Sequence, residues 1–219
     1  MAHAAVMLLS GGMDSGVLLA WARKRYNIAC MSFDYGSKHA SRELAMAKAL
    51  AERYTAEWIK IDLPFMNALF SSSLLSSGVA IPEGSYSEDN MLSTVIPFRN
   101  GIMLSIAIGF AENHKIDTVL IAAHAGDHPV YPDCRKDFVE AMSKAAALGT
   151  YQGVRVLAPF VSLSKQEIAV IGRGLGFDFS MTWSCYKGED IHCGRCATCN
   201  ERKAALGYEQ GLDPTRYRE

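Results

Sequence analysis

The glycine-rich stretch Leu-Leu-Ser-Gly-Gly-Met-Asp-Ser-Gly at residues 8–16 constrains the fold more than any other part of this sequence. The apolar run at residues 4–9 predicts a buried strand before it, and the helical spacing of apolar residues in 17–25 predicts a helix after it. The free N–H groups of such a turn and the positive end of the helix dipole both point at a bound anion. The stretch therefore predicts a phosphate-binding loop.

The side chains of this stretch add to its capacity to bind phosphate. Gly11 and Gly12 allow close approach of the backbone, and Ser10 and Ser15 add hydroxyl groups. Asp14 is placed to cap the helix or to hold Mg²⁺ near the phosphates. The usual P-loop pattern and the dinucleotide pattern Gly-x-Gly-x-x-Gly are both absent from the stretch.

The pattern Ser-Gly-Gly-x-Asp-Ser resembles the pyrophosphate loop of the N-type ATP pyrophosphatases. An ordinary glycine-rich turn between strand and helix is the alternative interpretation. The resemblance implies that consecutive residues of the loop and of the following helix contact ATP, namely Leu9, Ser10, Gly11, Gly12, Met13, Asp14, Ser15, Gly16, Val17 and Leu18.

Composition limits the class of protein and its partners. A chain of 219 residues with 49% hydrophobic residues can bury one full core with an appendage. A net charge of −1 offers no basic field, so we expect no stable nucleic-acid partner. No signal peptide and no membrane-spanning run are recognisable, which predicts a cytoplasmic protein.

The rest of the chain alternates between strand and helix patterns. Short apolar runs predict strands at 28–33, 58–63, 118–123 and 154–157, and helical spacing predicts helices at 40–54, 102–112, 137–148 and 165–174. Ser164 and Glu167 have the spacing of a capping box for the last helix. This order predicts an α/β fold with a doubly wound parallel sheet. The turn-rich region 71–94 predicts a lid partly disordered without ligand, or an ordinary surface loop.

Three groups of polar residues lie at the end of a predicted strand or at the start of a predicted helix. They lie at 34–39, at Arg99 and Asn100, and at 124–135. Because ligands of parallel α/β sheets bind beyond the carboxyl ends of the strands, we expect these groups to converge on one crevice. Asn100 could equally be a helix cap. Lys165 is a candidate phosphate ligand, although a solvated lysine at the helix start is the better interpretation.

Four of the six cysteines form a metal-binding pattern at the C-terminal end of the sequence. Their spacing is C-x7-C-x2-C-x2-C, and four thiolates suit structural Zn²⁺ better than an iron–sulfur cluster, whose run would continue to a further cysteine. His192 is an awkward substitute ligand because it adjoins a cysteine. The predicted zinc ligands are Cys185, Cys193, Cys196 and Cys199.

Six motifs in this order resemble the 7-cyano-7-deazaguanine synthase family over almost the whole chain. They are the glycine-rich loop, Tyr-Gly-x-x-His at 35–39, Pro-x-Arg-Asn at 97–100, Tyr-Pro-Asp-Cys-Arg at 131–135, Thr-Trp-Ser-Cys-Tyr at 182–186 and Cys-Gly-x-Cys-x-x-Cys at 193–199. The resemblance implies an adenine nucleotide alpha hydrolase-like, Rossmann-like fold and a homodimer. It also implies an ATP pyrophosphatase domain at 1–180 with a zinc-binding segment at 181–219.

The resemblance also implies an activity. The family converts 7-carboxy-7-deazaguanine, ammonia and ATP into 7-cyano-7-deazaguanine, for queuosine, archaeosine or DNA modification. The implied catalytic residues are Ser10, Asp14, Ser15, Arg99 and Asp127. A tRNA thiolation enzyme, a silent nucleotide-binding module and a variant that stops at the 7-amido product are the alternatives.

The same resemblance implies a substrate pocket, in which Tyr131 or Phe98 offers an apolar face to the flat deazapurine. Asp133 would accept hydrogen bonds from its guanine-like N–H groups, and Arg99 or Arg135 would pair with the carboxylate or with the AMP phosphate. The complete predicted set is Tyr35, His39, Phe98, Arg99, Asn100, Tyr131, Asp133 and Arg135.

Three positions depart from the family pattern. Phe98 stands where glycine is usual, and Gly16 stands where a hydroxyl residue is usual. Arg42 occupies the usual position of a glutamate three residues after the histidine, and Glu43 lies one residue further on. One residue in a helix is about 100° of rotation, so the sequence leaves open whether Glu43 can replace that glutamate.

Overall fold

The central feature of the fold is one parallel β-sheet. The computed structural model of the protein describes residues 3–84, 92–127 and 131–218. The strands within these ranges are β1 (His3–Leu8), β2 (Tyr26–Asp34), β3 (Glu57–Asp62), β4 (Thr118–Leu120) and β5 (Arg155–Leu157). They lie in the order β3-β2-β1-β4-β5, and every neighbouring pair is parallel. The predicted doubly wound sheet is confirmed, and its strand order reverses between β1 and β4.

Helices cover both faces of this sheet. In the described ranges they are α1 (Met13–Ala22), α2 (Ala40–Arg53), α3 (Pro64–Leu69), α4 (Arg99–Asn113), α5 (Lys136–Gly149), α6 (Lys165–Gly174) and α7 (Ala197–Leu206). Apolar residues of α1, α2, α6 and α7 form one core cluster, and those of α3, α4 and α5 form the other. None of the helices in these ranges is both long and apolar enough to cross a membrane.

Strand β1 is buried on both faces, which explains its continuous apolar sequence. Val6 belongs to the core cluster on the α4 side and Met7 to the cluster on the α1 side, and neither is exposed. Central strands of parallel sheets have continuous apolar sequences for this reason. The glycine-rich loop follows directly, so it lies at the carboxyl edge of the sheet beside the point where the strand order reverses.

Some predicted boundaries differ from the structure. Helix α1 begins at Met13 instead of residue 17, because Gly12 already has the extended backbone of an N-cap residue. Helix α4 begins at Arg99, three residues early, and its N-cap is Phe98, so Asn100 lies inside the helix. Strand β4 ends at Leu120, and residues 121–124 leave it to line the cavity described below. The capping box of Ser164 and Glu167 is confirmed.

The described part of the turn-rich region 71–94 contains buried residues that contact the rest of the fold. Residues 72–75 are buried, and the ammonium group of Lys38 donates to the carbonyls of Ser73 (2.8 Å) and Gly78 (3.0 Å). This part therefore packs into the fold, and partial disorder of the region without ligand stays a prediction. Residues 85–91, on which the same expectation falls, lie outside the described residues. Helix α3, just before the region, was not predicted.

Candidate active site

The phosphate-binding loop has the geometry that its sequence predicts. Gly11 has φ +86°, and a Cβ atom there would lie 2.2 Å from the carbonyl oxygen of Glu43, so only glycine fits. The Gly12 N–H donates to Ser10 Oγ (3.1 Å), and the hydroxyls of Ser10 and Ser15 lie 3.0 Å apart. The N-cap of α1 has no side-chain hydrogen bond. The first N–H groups of the helix are therefore available to an anion.

Asp14 lies at the centre of a charged cluster beside this loop. Its Oδ2 atom is 3.6 Å from Lys165 Nζ and 3.7 Å from His124 Nε2. Lys165 also contacts Glu201 Oε2 at 2.5 Å and is only 14% exposed, so its interpretation as a solvated lysine was wrong. The Oδ1 atom of Asp14 is buried without a hydrogen-bond partner in the described part of the chain. A carboxylate oxygen in that state fits a cation ligand.

A single cavity joins this cluster to a second group of polar residues. Its walls come from the loops after β1, β2 and β4, from the starts of α2 and α4, and from residues 183–198. The predicted residues Tyr35, His39, Arg99 and Asn100 all line it, together with Ser10, Asp14 and Ser15. Arg99 donates from Nη1 to the Tyr35 hydroxyl (3.2 Å). The cavity therefore brings the phosphate loop and Arg99 to one space.

Glu43 lies in this cavity although its position in the sequence left that open. The carboxyl group is 3.6 Å from His39 Nε2, and the side chain is 22% exposed. Arg42 points away and forms a surface ion pair with Asp190. Burial raises the pKa of Glu43 to about 7 from its ordinary 4.5, with Arg99 opposing the shift. Burial, and next the positive charge of Arg99, lower the pKa of His39 to about 4, so this imidazole is neutral at pH 7.

Four predicted substrate residues lie outside the lining of this cavity. Phe98 is 55% exposed, packs edge-on against Phe138, and has a left-handed φ of +54°. That φ lies in the left-handed region, which favours glycine. Of the others, the Tyr131 hydroxyl bonds Thr94 (2.8 Å) and Arg135 is exposed.

The fourth predicted substrate residue outside the cavity lining is Asp133, whose carboxylate accepts the backbone N–H of Asn100 (2.8 Å). Asp133 thus holds the start of α4, and the structure does not place it where a ligand would reach it. The same segment contributes Cys134 to the cavity wall, where its Sγ accepts from the Asn100 amide (3.1 Å). The side chain of Asp127 lies outside the described residues.

The four clustered cysteines fit a tetrahedral zinc site. Their Sγ atoms all lie within 4.8 Å of one another, and Cys193 and Cys199 are 3.9 Å apart. Zn–S bonds of about 2.3 Å in a tetrahedron place sulfur atoms about 3.8 Å apart. The N–H groups of Cys193 and Cys196 donate to sulfur atoms of the cluster at 3.3 Å. His192 Nε2 instead accepts the Ser184 N–H (3.1 Å). This contact agrees with the prediction that His192 is a poor zinc ligand because it adjoins a cysteine.

The cysteine segment also forms part of the cavity. Trp183, Ser184 and Tyr186 flank Cys185 and line the wall of the cavity. The Trp183 N–H donates to the Gly11 carbonyl at 2.9 Å. No local pattern predicts this contact, because residues 11 and 183 are distant along the chain. The four-cysteine cluster therefore lies directly behind one wall of the candidate active site.

Arg202 joins α7 to residues 179–184 and to Thr215, and this role was also not predicted from the sequence. The guanidinium is 2% exposed and donates to Thr182 Oγ1 (2.7 Å), to the Phe179 carbonyl (2.7 Å) and to Thr215 Oγ1 (2.7 Å). Gly16 packs closely against Phe177 and Thr182, because a Cβ atom at this position would lie 2.7 Å from the Phe177 ring. This packing accounts for glycine at a position where the family usually has a hydroxyl residue.

A parallel sheet with a Ser-Gly-Gly-x-Asp-Ser loop at its topological switch point defines a nucleotide-binding α/β protein of the pyrophosphate-loop class. The fold is similar to that of an NMN synthetase from Francisella tularensis, with a TM-score of 0.52, 16% identity, and coverage of 99% of this chain and 79% of that chain. At this identity the similarity concerns the fold alone.

The sequence comparisons define the family. A sequence model described as "Queuosine biosynthesis protein QueC" matches residues 4–210, and the chain belongs to that family. It is 52% identical to the 7-cyano-7-deazaguanine synthase of Desulfotalea psychrophila, over 97% of each chain. It is 51% identical to the protein of the same name from Porphyromonas gingivalis, over 97% of this chain and 96% of that one. The resemblance read from the six motifs is confirmed.

Proposed function

We propose that the protein is an ATP-dependent carbon–nitrogen ligase that converts 7-carboxy-7-deazaguanine and ammonia into 7-cyano-7-deazaguanine. The observation that carries this proposal is 52% identity to a synthase of that name over nearly the full length. The cavity supports it, because a phosphate loop and Arg99 open into the same space. Ser10, Asp14, Ser15 and Arg99 remain the proposed catalytic residues, as does Asp127.

The first half of the proposed reaction activates a carboxylate. A substrate carboxylate oxygen attacks the α-phosphorus of ATP, the bond to pyrophosphate breaks, and an acyl adenylate forms. Ammonia then attacks the acyl carbon, AMP leaves with the former carboxylate oxygen, and loss of a proton gives the amide. The free N–H groups at the start of α1 and the hydroxyls of Ser10 and Ser15 would bind the departing pyrophosphate, acting by position and electrostatics.

The second half removes the amide oxygen. That oxygen attacks the α-phosphorus of a second ATP and again releases pyrophosphate. The nitrogen then loses its protons as the C–O bond breaks, so that AMP leaves and the nitrile remains. The same phosphate loop can serve both activations, because each one expels pyrophosphate from the same position. Arg99 would pair with the anionic group that is being activated.

Two metal ions complete the proposal. Asp14 would hold Mg²⁺ through the buried Oδ1 atom, and this ion supplies positive charge to the phosphate oxygens. Zn²⁺ would bind the four cysteine thiolates and fix the segment that carries Trp183 and Tyr186. We retain 181–219 as the zinc-binding segment, supported by the position of all four thiols within it.

We further propose a cytoplasmic homodimer. The buried, unpaired thiols of the metal cluster require a reducing compartment, which supports the cytoplasm. Leu148 and Tyr151 are largely exposed near β5, the last strand of the described sheet, and such apolar groups suit a subunit contact. Light scattering of the purified protein, with Tyr151→Asp as the variant, tests this assembly.

The activity is tested by supplying 7-carboxy-7-deazaguanine, ATP, Mg²⁺ and ammonia and identifying the products by mass spectrometry. We expect the nitrile, with pyrophosphate released at each activation. Asp14→Asn should abolish turnover, whereas Glu52→Gln on the exposed side of α2 should not change it. Accumulation of the amide alone would support the variant reaction that stops there. ATP consumption with tRNA and none with the deazaguanine would reject the proposal in favour of a tRNA-directed enzyme.

A further inference from the structure

We infer that Glu43 recognises the amino-pyrimidinone edge of the deazaguanine substrate and so determines specificity for guanine-type rings. The inference rests on the proposed function and deepens it. The motif-based resemblance had placed this role on Asp133, whose carboxylate holds the backbone of α4. Glu43 is the carboxyl group that lines the cavity without taking part in the charged cluster around Asp14.

The acidic residues of the described cavity wall have different surroundings. Two carboxyl groups line it, those of Asp14 and Glu43. Asp14 faces Lys165 and His124 at the phosphate loop. Glu43 has no such cationic neighbour, since within the described ranges no arginine or lysine nitrogen lies within 4 Å of it. The carboxyl group of Glu43 is therefore the one left for a neutral ligand edge.

The hydrogen-bonding capacity of Glu43 is unused. His39 Nε2, at 3.6 Å, is the nearest polar group that the described structure gives it, and this distance exceeds a hydrogen bond. His39 donates its Nδ1–H to the Tyr186 carbonyl at 3.2 Å, so in the neutral ring Nε2 carries no proton to offer. The Glu43 side chain is 22% exposed, and its oxygen atoms are free to accept hydrogen bonds from a ligand that supplies donors.

The substrate edge supplies the donors that are missing. A guanine-type ring presents N1–H and the 2-amino group side by side, and a carboxylate accepts two parallel N–H bonds in that arrangement. Arg99 lies in the same cavity, bonded to the Tyr35 hydroxyl and not paired with Glu43 within 4 Å. The cavity thus offers Arg99 as a cation for the substrate's carboxylate and the Glu43 oxygens as acceptors for the ring edge.

Calorimetric titrations of four ligand–protein pairs test this assignment. The ligands are 7-carboxy-7-deazaguanine and its analogue without the 2-amino group, and the proteins are the wild type and Glu43→Gln. We expect the wild type to prefer the complete ligand by about 10²-fold, because a site that hydrogen-bonds a ligand group discriminates against the analogue that lacks the group. Glu43→Gln should reduce this preference to below about 10-fold, since the amide retains one acceptor.

Controls separate recognition from a structural effect. ATP affinity should stay within about twofold in Glu43→Gln, and Glu52→Gln, on the exposed side of the same helix, should match the wild type for both ligands. Thermal unfolding establishes that each variant is folded. An unchanged preference in Glu43→Gln, equal losses of ATP and deazaguanine affinity, or loss of the preference in Asp133→Asn instead would each overturn the inference. A wild type that binds ATP but neither deazaguanine would overturn the proposed function itself.

Discussion

Replacing Glu43 by glutamine should stabilise the unliganded protein, and increasingly so as the pH rises. The folded protein holds the Glu43 proton up to about pH 7, whereas the unfolded chain releases it near 4.5. A carboxyl group with a raised pKa favours folding only while it is protonated, so its contribution is lost as the pH rises through this window. Glutamine has the shape of the protonated carboxyl group and has no proton to lose.

The magnitude follows from the two pKa values. The full difference between 4.5 and about 7 corresponds to about 3 kcal/mol, at about 1.4 kcal/mol for each tenfold change. We therefore expect Glu43→Gln to be more stable than the wild type by about 1 kcal/mol at pH 5.5 and by about 3 kcal/mol at pH 8.5. The other groups that face Glu43, Tyr35, His39 and Arg99, are present in both proteins and largely cancel in this difference.

Urea unfolding followed by tryptophan fluorescence, with zinc present throughout, measures this difference at pH 5.5, 7.0 and 8.5. Glu52→Gln is the matched control and should stay close to the wild type at every pH, because its side chain is exposed. A stability difference that does not change with pH would refute the reasoning. A difference that becomes smaller at high pH would show that Arg99 keeps Glu43 ionised in the folded protein.

Four further substitutions test other parts of the site. Gly11→Ala should abolish ATP binding in a titration, because its Cβ would lie 2.2 Å from the Glu43 carbonyl oxygen; normal affinity would contradict this. Asp14→Ala should abolish ATP-dependent turnover while circular dichroism stays unchanged; near-normal turnover would remove Asp14 from the phosphate site. Cys196→Ser should reduce the zinc content below one per chain by elemental analysis, and iron with sulfide in the wild type would reject the zinc assignment. Arg202→Met should lower the free energy of unfolding by about 3 kcal/mol because it leaves buried acceptors without a donor; an unchanged urea midpoint would contradict that role.

The sheet and most helices were predictable because their signals are local. A continuous apolar run predicts a strand such as β1. The glycine pattern after it predicts the loop that lies at the switch point of the sheet. The four cysteines were equally predictable, since metal geometry demands their spacing. In these cases the residues that carry the signal are also the residues that make the contacts.

The pocket was harder because its walls come from segments far apart in the sequence. Asp133 and Glu43 are both acidic residues near a strand end, and only the backbone decides which one faces the cavity. The Asp133 carboxylate accepts the backbone N–H of Asn100. Lys165 lies 3.6 Å from Asp14 although the two residues are far apart in the sequence. Phe98 was misread because its left-handed backbone turns the ring outward, and no residue-by-residue pattern shows that angle.

The hydrogen bond from Trp183 to Gly11 has a consequence for the order of events during synthesis. The phosphate loop leaves the ribosome early, yet the wall that encloses it arrives only after most of the chain has been made. Such long-range contacts form late, since they must first overcome the entropy of closing a very large loop. The cysteine segment is therefore the last part of this wall to be made, and the nucleotide site can be enclosed only after residue 183 has joined the fold.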